Sequence, residues 1–437
     1  MLALGIDVGT SKIAVLAMEV ATGDSVWLRH TKTPDLIGCK PGEHLQDAVM
    51  VIHSIDEVLR EYPYWSDTAV IGVTGQMHGI VYLNEKGVAV SSLYTWEDRR
   101  SSRQNPSSGK SYAEDVGVPV GYGHATHAYL RDHQEVPEDA VGYVTIADAV
   151  ALHLCHSSSP VLHATNAASF GKFDREHSRF VGEWERECPY PIVGGYEVLG
   201  TFPAPDGKEI PVSVAIGDNQ ASFLGSGGGR RDVLLNIGTG AQVSMLTRER
   251  RENDARIEIR PAFEGEYLAV GSALCGGRAY AALHDFFCAT VEMATGQRPH
   301  QLYDHMEQLL LGATDARIRF DNTFCGTRSD PGRRGSIRGI SLDTFTPRDF
   351  CIGILEGMVN ELAELYDAMG CHAERLLGSG NALRRNPLLC QMCEKRFGAR
   401  LLVISGEEEA ARGAAIFALL AARVSPLETI ADLERYR

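Results

Sequence analysis

The sequence predicts an α/β protein built from two similar domains. Three observations support this prediction. The chain of 437 residues is too long for one ordinary hydrophobic core. Apolar strand-like runs alternate with segments of helical periodicity. One strand–turn–strand pattern occurs twice, at Leu4–Ser11 and at Leu235–Gly240. We place the domains at residues 1–224 and 225–437, with a candidate hinge in the glycine-rich segment 225–229.

Each copy of the repeated pattern is an apolar strand that ends in a tight glycine–threonine turn. Glycine lets a ligand approach the backbone closely, and successive N–H groups in such a turn form a concave anion site. We therefore expect Gly9, Thr10 and Ser11 in the first copy to bind phosphate. Gly238 and Thr239 are their counterparts in the second copy. One turn per domain predicts a polyphosphate held between two domains.

The two copies differ at a position that decides metal binding. Asp7 carries a carboxylate where the second copy has Asn236. Carboxylate oxygens are ligands for hard divalent cations, so we expect a metal site at Asp7 in the first copy and none in the second. Lys12 directly follows the first turn. It is either a phosphate partner or a strand lysine that faces water.

The remaining elements of the first half follow from apolar spacing. The predicted elements are a hairpin over 2–18, a helix over 47–61, a buried strand over 69–73 and a strand over 141–146 that leads into a helix ending at 155. Gln76, Met77 and His78 stand between glycines directly after the strand at 69–73. Open α/β sheets bind ligands at that end of a strand, so a binding site is favoured over a loop histidine without function.

An aromatic residue, acids and bases occur together at 96–100. Tryptophan faces and carboxylates frequently hold a polyhydroxylated sugar, whereas a solvated charged helix start is the alternative. Further along, an apolar strand over 212–216 ends at Gly217 and Asp218. A carboxylate there is suited to accept a proton from an attacking hydroxyl during phosphoryl transfer, or it caps a helix that starts at Asn219.

The second half alternates predicted helices with glycine-rich loops. The helices are expected over 280–290, over 346–369, from 387 and over 407–423. Gly378, Gly380 and Asn381 form a loop after a strand, and Gly277 precedes a helix. Such loops suit close packing against a nucleobase or ribose, although many are only tight turns.

Composition excludes several classes of protein. A formal net charge of −15 argues against binding to a nucleic-acid backbone. The sequence has no apolar run of membrane-spanning length and no cleavable leader, so we expect a soluble, cytoplasmic protein without a membrane partner. The ten cysteines form no disulfide framework, and Cys390 and Cys393 are interpreted as helix thiols rather than a metal or redox site.

Seven motifs occur in an order that resembles the FGGY carbohydrate kinases over nearly the whole chain. They are Asp-x-Gly-Thr-Ser at 7–11, Gly-Gln-Met-His-Gly at 75–79, Trp-x-Asp-x-Arg at 96–100, Gly-Asp-Asn-Gln at 217–220, Gly-Thr-Gly at 238–240, Gly-Ser-Gly-Asn at 378–381 and Glu-Ala-Ala-Arg-Gly-Ala-Ala at 409–415. The resemblance implies two ribonuclease-H-like domains of the actin-like ATPase fold that flank a nucleotide cleft. It also implies ATP, Mg²⁺ and a small-molecule sugar as ligands, in a monomer or homodimer.

The resemblance further implies a role for each motif. Asp218 would be the general base and Asp7 would position Mg²⁺. Residues expected at the phosphates are Gly9, Thr10, Ser11, Gly238 and Thr239, with Lys12 uncertain because it lies closer to the turn than is usual. Residues expected along adenosine are Gly277, Gly378, Gly380 and Asn381. Residues expected at the sugar are Gln76, Met77, His78, Asp98, Arg100, Asn166 and Asn219.

Within that family the motifs resemble the ketose kinases. Thr-Trp-x-Asp at 95–98 and Asn-Ala-Ala-Ser-Phe-Gly at 166–171 are most similar to the sedoheptulokinase branch, with xylulokinase or another ketopentose kinase as the alternative. Two other functions stay open at this point. One is an actin- or Hsp70-like ATPase that acts on a protein partner, and the other is a sugar-binding regulator without catalysis.

Overall fold

Two separate units make up the chain in the computed structural model, which describes residues 1–36, 39–249, 254–327, 330, 332–370, 372–404, 406 and 408–424. The first unit comprises Met1–Gly229, Arg260–Tyr267 and the chain from Gly406 onward. The second comprises Arg230–Ile259 and Leu268–Ser405.

The first unit contains most of the strands. In chain order they are β1 Leu2–Val8, β2 Lys12–Glu19, β3 Ser25–Lys32, β4 Leu45–Gln46, β5 Thr68–Gly75, β6 Val81–Leu83, β7 Leu93–Tyr94, β8 Gly142–Val144, β9 Leu162–His163, β10 Phe173–Asp174, β11 Arg179–Phe180, β12 Ile192–Val193, β13 Val198–Pro203, β14 Glu209–Ser213 and β15 Ile216–Gly217. The helices are α1 Ala48–Arg60, α2 Tyr112–Val116, α3 Gly123–Asp132, α4 Ile146–Leu154, α5 Ala164–Ala167, α6 Trp184–Glu187 and α7 Asp218–Gly225. Short 3-10 turns lie at Trp65–Asp67, Arg100–Ser102 and Ala168–Phe170.

Most of the chain after Gly229 forms the second unit. Its strands are β16 Asp232–Ile237, β17 Ala241–Thr247, β18 Ile257–Pro261, β19 Tyr267–Ala273, β20 Arg319–Asp321, β21 Ser336–Arg338, β22 Arg375–Ser379 and β23 Leu401–Val403, with the ends of β18 and β19 counted in the first unit. Its helices are α8 Gly277–Thr295, α9 Tyr303–Leu310, α10 Pro347–Met369, α11 Asn381–Arg385 and α12 Pro387–Phe397. The last described helix, α13 Glu409–Ala421, returns to the first unit.

Both units are built on a mixed sheet of the same design. The first sheet has the order β13-β14-β5-β1-β2-β3, with β15 also paired to β5, and the second has the order β18-β19-β17-β16-β22-β23. In each, an antiparallel hairpin, β1–β2 or β16–β17, lies beside a parallel strand, β5 or β22. In each sheet, the repeated turn therefore connects the two strands of the hairpin. Asp7 is the last residue but one of β1, and Asn236 is the last residue but one of β16.

Helix ends follow the capping residues that the sequence contains. The side chains of Asp47, Thr346 and Asn386 accept N–H groups at the starts of α1, α10 and α12, and proline follows the cap in the last two. The predicted helix from 387 is thus confirmed, with Cys390 and Cys393 both on it. All nine cysteines of the described chain carry free thiols. No helix within the described ranges has the length and apolarity needed to cross a bilayer.

Predicted boundaries differ from the structure in detail. The strand expected over 141–146 is only Gly142–Val144, because Thr145 and Asp148 form a capping box that starts α4. Helix α7 begins at Asp218 with Gly217 as its N-cap, so Asp218 is not the capping residue. The last helix begins at Glu409, and the predicted start at Glu407 lies outside the described residues.

Helix α13 belongs to the first unit, whereas the predicted division at 224/225 assigned all of 225–437 to the second domain. It packs on β1, β5 and α7 with backbone against backbone. A Cβ atom at any of four glycines would lie 1.7–1.9 Å from a backbone oxygen across this contact. These glycines are Gly5, Gly72, Gly225 and Gly413. Since only glycine permits such an approach, these contacts hold helix α13 in the first unit.

We expect Gly413→Ala to destabilise the protein strongly, because its Cβ would lie 1.7 Å from the carbonyl oxygen of Ala221. Overpacking against backbone should cost about 3 kcal/mol or more. Thermal unfolding followed by circular dichroism measures the effect. Gly194→Ala is the matched control, since no atom lies within 4 Å of its added Cβ. Equal melting temperatures for both variants would contradict the packing described.

Candidate active site

Three parallel strands of the first unit end side by side. β5 pairs in parallel with both β1 and β15, and the register sets Asp7 opposite Thr74 and Gly217 opposite Gly75. The residues that follow these ends, at 9–11, 76–78 and 218–219, therefore lie at one edge of the sheet. This edge brings together most of the sequence-predicted residues of the first domain, as expected for the carboxyl ends of parallel strands.

The first turn is held through its carbonyl groups. The Thr33 hydroxyl donates to the Gly9 carbonyl at 2.8 Å, and the Gln46 amide donates to the Thr10 carbonyl at 2.6 Å. The Trp96 indole N–H donates to the Thr10 hydroxyl at 3.0 Å. No described residue accepts a hydrogen bond from the backbone N–H of Thr10 or Ser11. Donors without protein acceptors in a turn are the requirement for an anion site.

Asp7 is the least satisfied carboxylate of this edge. Its Oδ1 atom is buried and has no hydrogen-bond partner among the described residues. Burial, together with the nearby carboxylates of Asp218 and Glu408, raises the pKa of Asp7 from 3.8 to about 7, and Lys12 opposes this rise. A buried oxygen next to other negative groups is a position that a divalent cation would stabilise. The residues present thus fit the expected metal ion.

Asp218 is the first residue of α7, and its charge acts on Asp7. Its Oδ1 atom accepts a hydrogen bond from the Asn219 side chain at 2.9 Å. Burial raises the pKa of Asp218, whereas the charge of Arg260 lowers it. Burial also lowers the pKa of Arg260, against the influence of Tyr122 and Asp218. Sequence reasoning missed Arg260, because a single arginine on strand β18 carries no signal that the fold brings it to Asp218.

Lys12 has a protein partner in the structure. Its ammonium group lies 2.5 Å from the carboxylate of Glu408, which also lies 3.0 Å from the His30 ring. Glu408 has a φ of 60°, an unusual backbone conformation for a residue with a side chain. Lys12 is the first residue of β2 and its side chain is 51% exposed, so the alternative of a strand lysine that faces water fits the structure. A phosphate contact by Lys12 stays a prediction, and it would compete with Glu408.

Gln76, Met77 and His78 follow β5 and face the same edge. The Gln76 amide donates to Gln46 Oε1 at 2.8 Å, and its own buried Oε1 has no described partner. The Met77 sulfur accepts from the Asn219 side chain at 3.7 Å. Gln46 thus connects the expected sugar motif to the phosphate turn, a role that its place on the two-residue strand β4 did not reveal.

His78 has a defined orientation. Its Nδ1 atom lies 2.8 Å from the Ser169 carbonyl oxygen, its N–H donates to the Ser169 hydroxyl at 3.0 Å, and its ring lies 4.2 Å from that of Tyr122. A neutral ring must carry its proton on Nδ1 to bind this carbonyl, which makes Nε2 the acceptor. The residue has a φ of 70°. Such strain in a non-glycine residue is typical of functional positions.

Asp98 and Arg100 form a buried ion pair. Two Arg100 nitrogens donate to the Asp98 oxygens at 2.7 and 3.0 Å, and their side chains are 3% and 0% exposed. The His44 backbone N–H donates to Asp98 as well, at 3.0 Å. The pair holds together the loops around it. Direct sugar contact by either side chain stays a prediction that requires this pair to rearrange.

Asn166 is fully buried beside the edge. Its amide donates to Asp148 Oδ1 at 3.0 Å and to the Ala215 carbonyl at 3.3 Å, just before β15. Its Oδ1 atom has no partner in the described chain. Burial raises the pKa of Asp148 to about 6. Asn166 therefore supports the strand that precedes Asp218, and a sugar contact would have to use the Oδ1 atom.

The second unit contains a cavity of about 720 Å³ around the second turn. Five expected nucleotide residues line it, namely Gly238, Thr239, Gly277, Gly380 and Asn381. Tyr280 and Tyr303 also line it, with rings 6.3 Å apart, and sequence reasoning missed them because their spacing shows no pattern. Offset aromatic rings provide a surface on which a nucleobase stacks.

At two of these glycines, another stretch of backbone lies so close that a larger residue would not fit. A Cβ at Gly277 would lie 2.6 Å from the Gly238 carbonyl oxygen, and one at Gly380, which has a φ of 93°, would lie 2.4 Å from that of Ile237. Gly378 differs from the expectation. It is buried within β22, where Leu383 and Leu401 would lie 3.0 Å from its Cβ, and it is not among the cavity residues.

Two family models match the chain. The N-terminal domain model of the FGGY family of carbohydrate kinases matches residues 2–118, and the C-terminal domain model matches residues 233–422. Human sedoheptulokinase is 28% identical, with 95% of this chain and 97% of that protein aligned. A xylulose kinase of Staphylococcus epidermidis is 24% identical, with 95% of this chain and 87% of that protein aligned.

Solved structures show the same fold. A ligand-bound xylulose kinase from Lactobacillus acidophilus aligns with a TM-score of 0.81 and 16% identity, covering 100% of this chain and 92% of that one. A xyloylose kinase from Brucella ovis aligns with a TM-score of 0.79 and 20% identity, covering 97% of this chain and 90% of that one. The matched motifs, the paired sheets and these comparisons agree, and the chain belongs to the FGGY family of carbohydrate kinases, with their actin-like ATPase fold.

Proposed function

We propose that this carbohydrate kinase transfers the terminal phosphoryl group of ATP to the terminal hydroxyl of a ketose, with sedoheptulose as its preferred substrate. The observation that carries the proposal is the shared edge of β1, β5 and β15, where Asp7, the Gln76–His78 segment and Asp218 lie together. Phosphoryl transfer depends mainly on positioning and charge stabilisation, so it needs no covalent nucleophile.

In this proposal Asp218 is the general base. It takes the proton of the attacking hydroxyl on a side-chain oxygen. Its raised pKa makes it a better base near neutral pH than an exposed carboxylate. Asn219 and Arg260 hold and balance its charge when it is ionised.

The sugar would bind along the segment that follows β5. Gln76 Oε1 is a buried acceptor without a described partner, and His78 and Asn219 would contact the same sugar. A buried acceptor without a partner is costly until a ligand donor reaches it, which favours a polyhydroxylated substrate over an apolar one.

ATP and Mg²⁺ would use the two copies of the turn differently. Gly9, Thr10 and Ser11 offer backbone donors for phosphate oxygens in the first unit. The second-unit cavity, with Gly238, Thr239 and its two tyrosines, is suited to a nucleotide. Mg²⁺ held by Asp7 would neutralise phosphate charge as it is transferred.

Similarity favours sedoheptulose among the ketoses. Sedoheptulokinases of Homo sapiens and Mus musculus are 28% and 27% identical to this chain, against 24% for the xylulose kinases of Staphylococcus epidermidis. A xylulose kinase is the second candidate, since such enzymes are also similar over 95% of the chain.

We expect Asp218→Asn to lower kcat by about 10²–10⁴-fold, because one positioned base is lost. ADP release under saturating Mg-ATP and ketose measures the rate, and calorimetry measures ATP affinity, which should stay within about threefold of the unchanged protein. Asp132→Asn, a half-exposed carboxylate of α3, is the control. Near-normal turnover of Asp218→Asn would remove Asp218 as the base.

A substrate panel tests the preferred sugar. Sedoheptulose, D-xylulose, D-ribulose, D-fructose, L-ribulose and glycerol are compared by kcat/KM, and we expect sedoheptulose to exceed every other compound by about tenfold or more. A higher value for D-xylulose would support the xylulose kinase assignment instead. ADP release at one low rate, whatever the sugar, would contradict a ketose kinase altogether.

We expect Asp7→Asn to stabilise the ligand-free protein at pH 8. The pKa of Asp7 rises from 3.8 to about 7 on folding. The folded chain therefore holds this proton more tightly than the unfolded chain, and stability falls as the pH rises from about 4 to about 7. The gain from asparagine should be on the order of 4 kcal/mol at pH 8 and vanish near pH 4.

Melting temperatures from pH 4 to pH 8 measure this gain, with Asp132→Asn as the control. Millimolar Mg²⁺ should raise the melting temperature of the unchanged protein at pH 8, because it relieves the same repulsion, and should leave Asp7→Asn unaffected. An equal response of both proteins to Mg²⁺ would place the metal ion elsewhere.

A further inference from the structure

Two thiols of the second unit lie next to each other beside the second turn. Cys275 is buried in the short connection between β19 and α8, and Cys325 is exposed in the chain that follows β20. The two side chains are close enough to interact, since Cys325 contributes to the raised pKa of Cys275. Fifty residues of sequence separate them, so only the fold reveals the pair.

The two sulfurs differ in accessibility and in their neighbours. The Arg278 guanidinium lies 3.7 Å from the Cys325 sulfur. Burial, and then the neighbouring Cys325, raise the pKa of Cys275 to about 12, while Arg278 opposes the rise. An exposed sulfur beside a cation is the reactive type of cysteine, whereas a buried one reacts second.

The residues after Cys275 hold the second turn in place. The Gly277 N–H donates to the Gly238 carbonyl at 2.8 Å, and the Arg278 N–H donates to the Thr239 carbonyl at 3.0 Å. A Cβ at Gly276 would lie 2.4 Å from the Gly240 backbone. With backbone packed this closely, a shift of Cys275 must be passed on to the turn.

We propose that Cys275 and Cys325 form a redox-sensitive thiol pair whose disulfide weakens nucleotide binding at the second turn. The effect on the nucleotide rests on the proposed function, whereas the disulfide itself does not. Gly238, Thr239, Gly277 and Arg278 all line the cavity assigned to the nucleotide. Closing the bond would pull the connection at 275–278 toward Cys325 and turn Arg278 away from its present position.

The chemistry balances with a peroxide as oxidant. The Cys325 sulfur attacks one peroxide oxygen and the O–O bond breaks, which leaves a sulfenic acid on Cys325. The released hydroxide takes up the proton of the Cys325 thiol and becomes one water. The Cys275 sulfur then attacks the Cys325 sulfur, the S–O bond breaks, and a second water leaves with the thiol proton. Two thiols lose two electrons and two protons, and one hydrogen peroxide becomes two waters.

Other thiols of the described chain serve as comparison. Cys390 and Cys393 share helix α12, but Cys390 donates to the Leu383 carbonyl at 3.2 Å and Cys393 is buried. Cys39, half-buried in the first unit, donates to the Leu36 carbonyl at 3.4 Å. Cys39→Ser therefore removes a thiol without touching the pair and provides the matched control.

In the test, the 437-residue protein is treated with hydrogen peroxide and its free thiols are then alkylated. Disulfides are mapped by peptide mass spectrometry. Calorimetry measures ATP affinity of the reduced, oxidised and re-reduced protein. We expect a 275–325 disulfide, an ATP affinity at least about tenfold lower, and recovery with dithiothreitol. Cys325→Ser should bind ATP normally and resist peroxide, whereas Cys39→Ser should respond like the unchanged protein.

Two outcomes would overturn the proposal. The first is the absence of a 275–325 disulfide after oxidation, and the second is a mapped disulfide with unchanged ATP affinity. If the reduced protein binds no ATP, both the assignment of the cavity to the nucleotide and the proposed regulation are contradicted. In that case a mapped 275–325 disulfide would still establish the thiol pair. Cys325→Ser keeps the test independent of folding, because its side chain is exposed.

Discussion

The parallel pairing of β5 with both β1 and β15 is the constraint on which the rest of the first unit depends. It sets the ends of three strands side by side, although about 70 and 140 residues separate them in sequence. Asp7, the Gln76–His78 segment and Asp218 each belong to a different strand end. Without this register, none of them would share a site, whatever their chemistry.

That arrangement brings together groups that repel one another. Asp7, Asp218 and Glu408 are close enough to raise the pKa of Asp7, and Lys12 and Arg260 supply the opposing charges. Repulsion of this kind weakens the folded state in the absence of a ligand. It also prepares the site for cations and protons, as is general for active sites held by a rigid scaffold.

Local signals predicted much of this protein. The glycine–threonine turns, the capping residues at Asn386 and Thr346 and the polar residues after β5 depend on neighbours in sequence, so the repeat, several helix starts and most site segments could be predicted. Their order also indicated the family. Contacts between distant segments could not be predicted in this way. Arg260 beside Asp218 and Gln46 beside Thr10 depend on the assembled sheet and carry no local pattern.

The glycine contacts of α13 have a consequence for how the chain folds. Strand β1 begins at the second residue, and the helix that covers it ends near residue 421. During synthesis, the apolar surface of the first sheet stays uncovered until about 400 further residues have been made. Such a long-range closure favours slow folding and a need for protection on the way. A chain that stops short of α13 would lack part of the core of its first unit, even though every motif of that unit had been made.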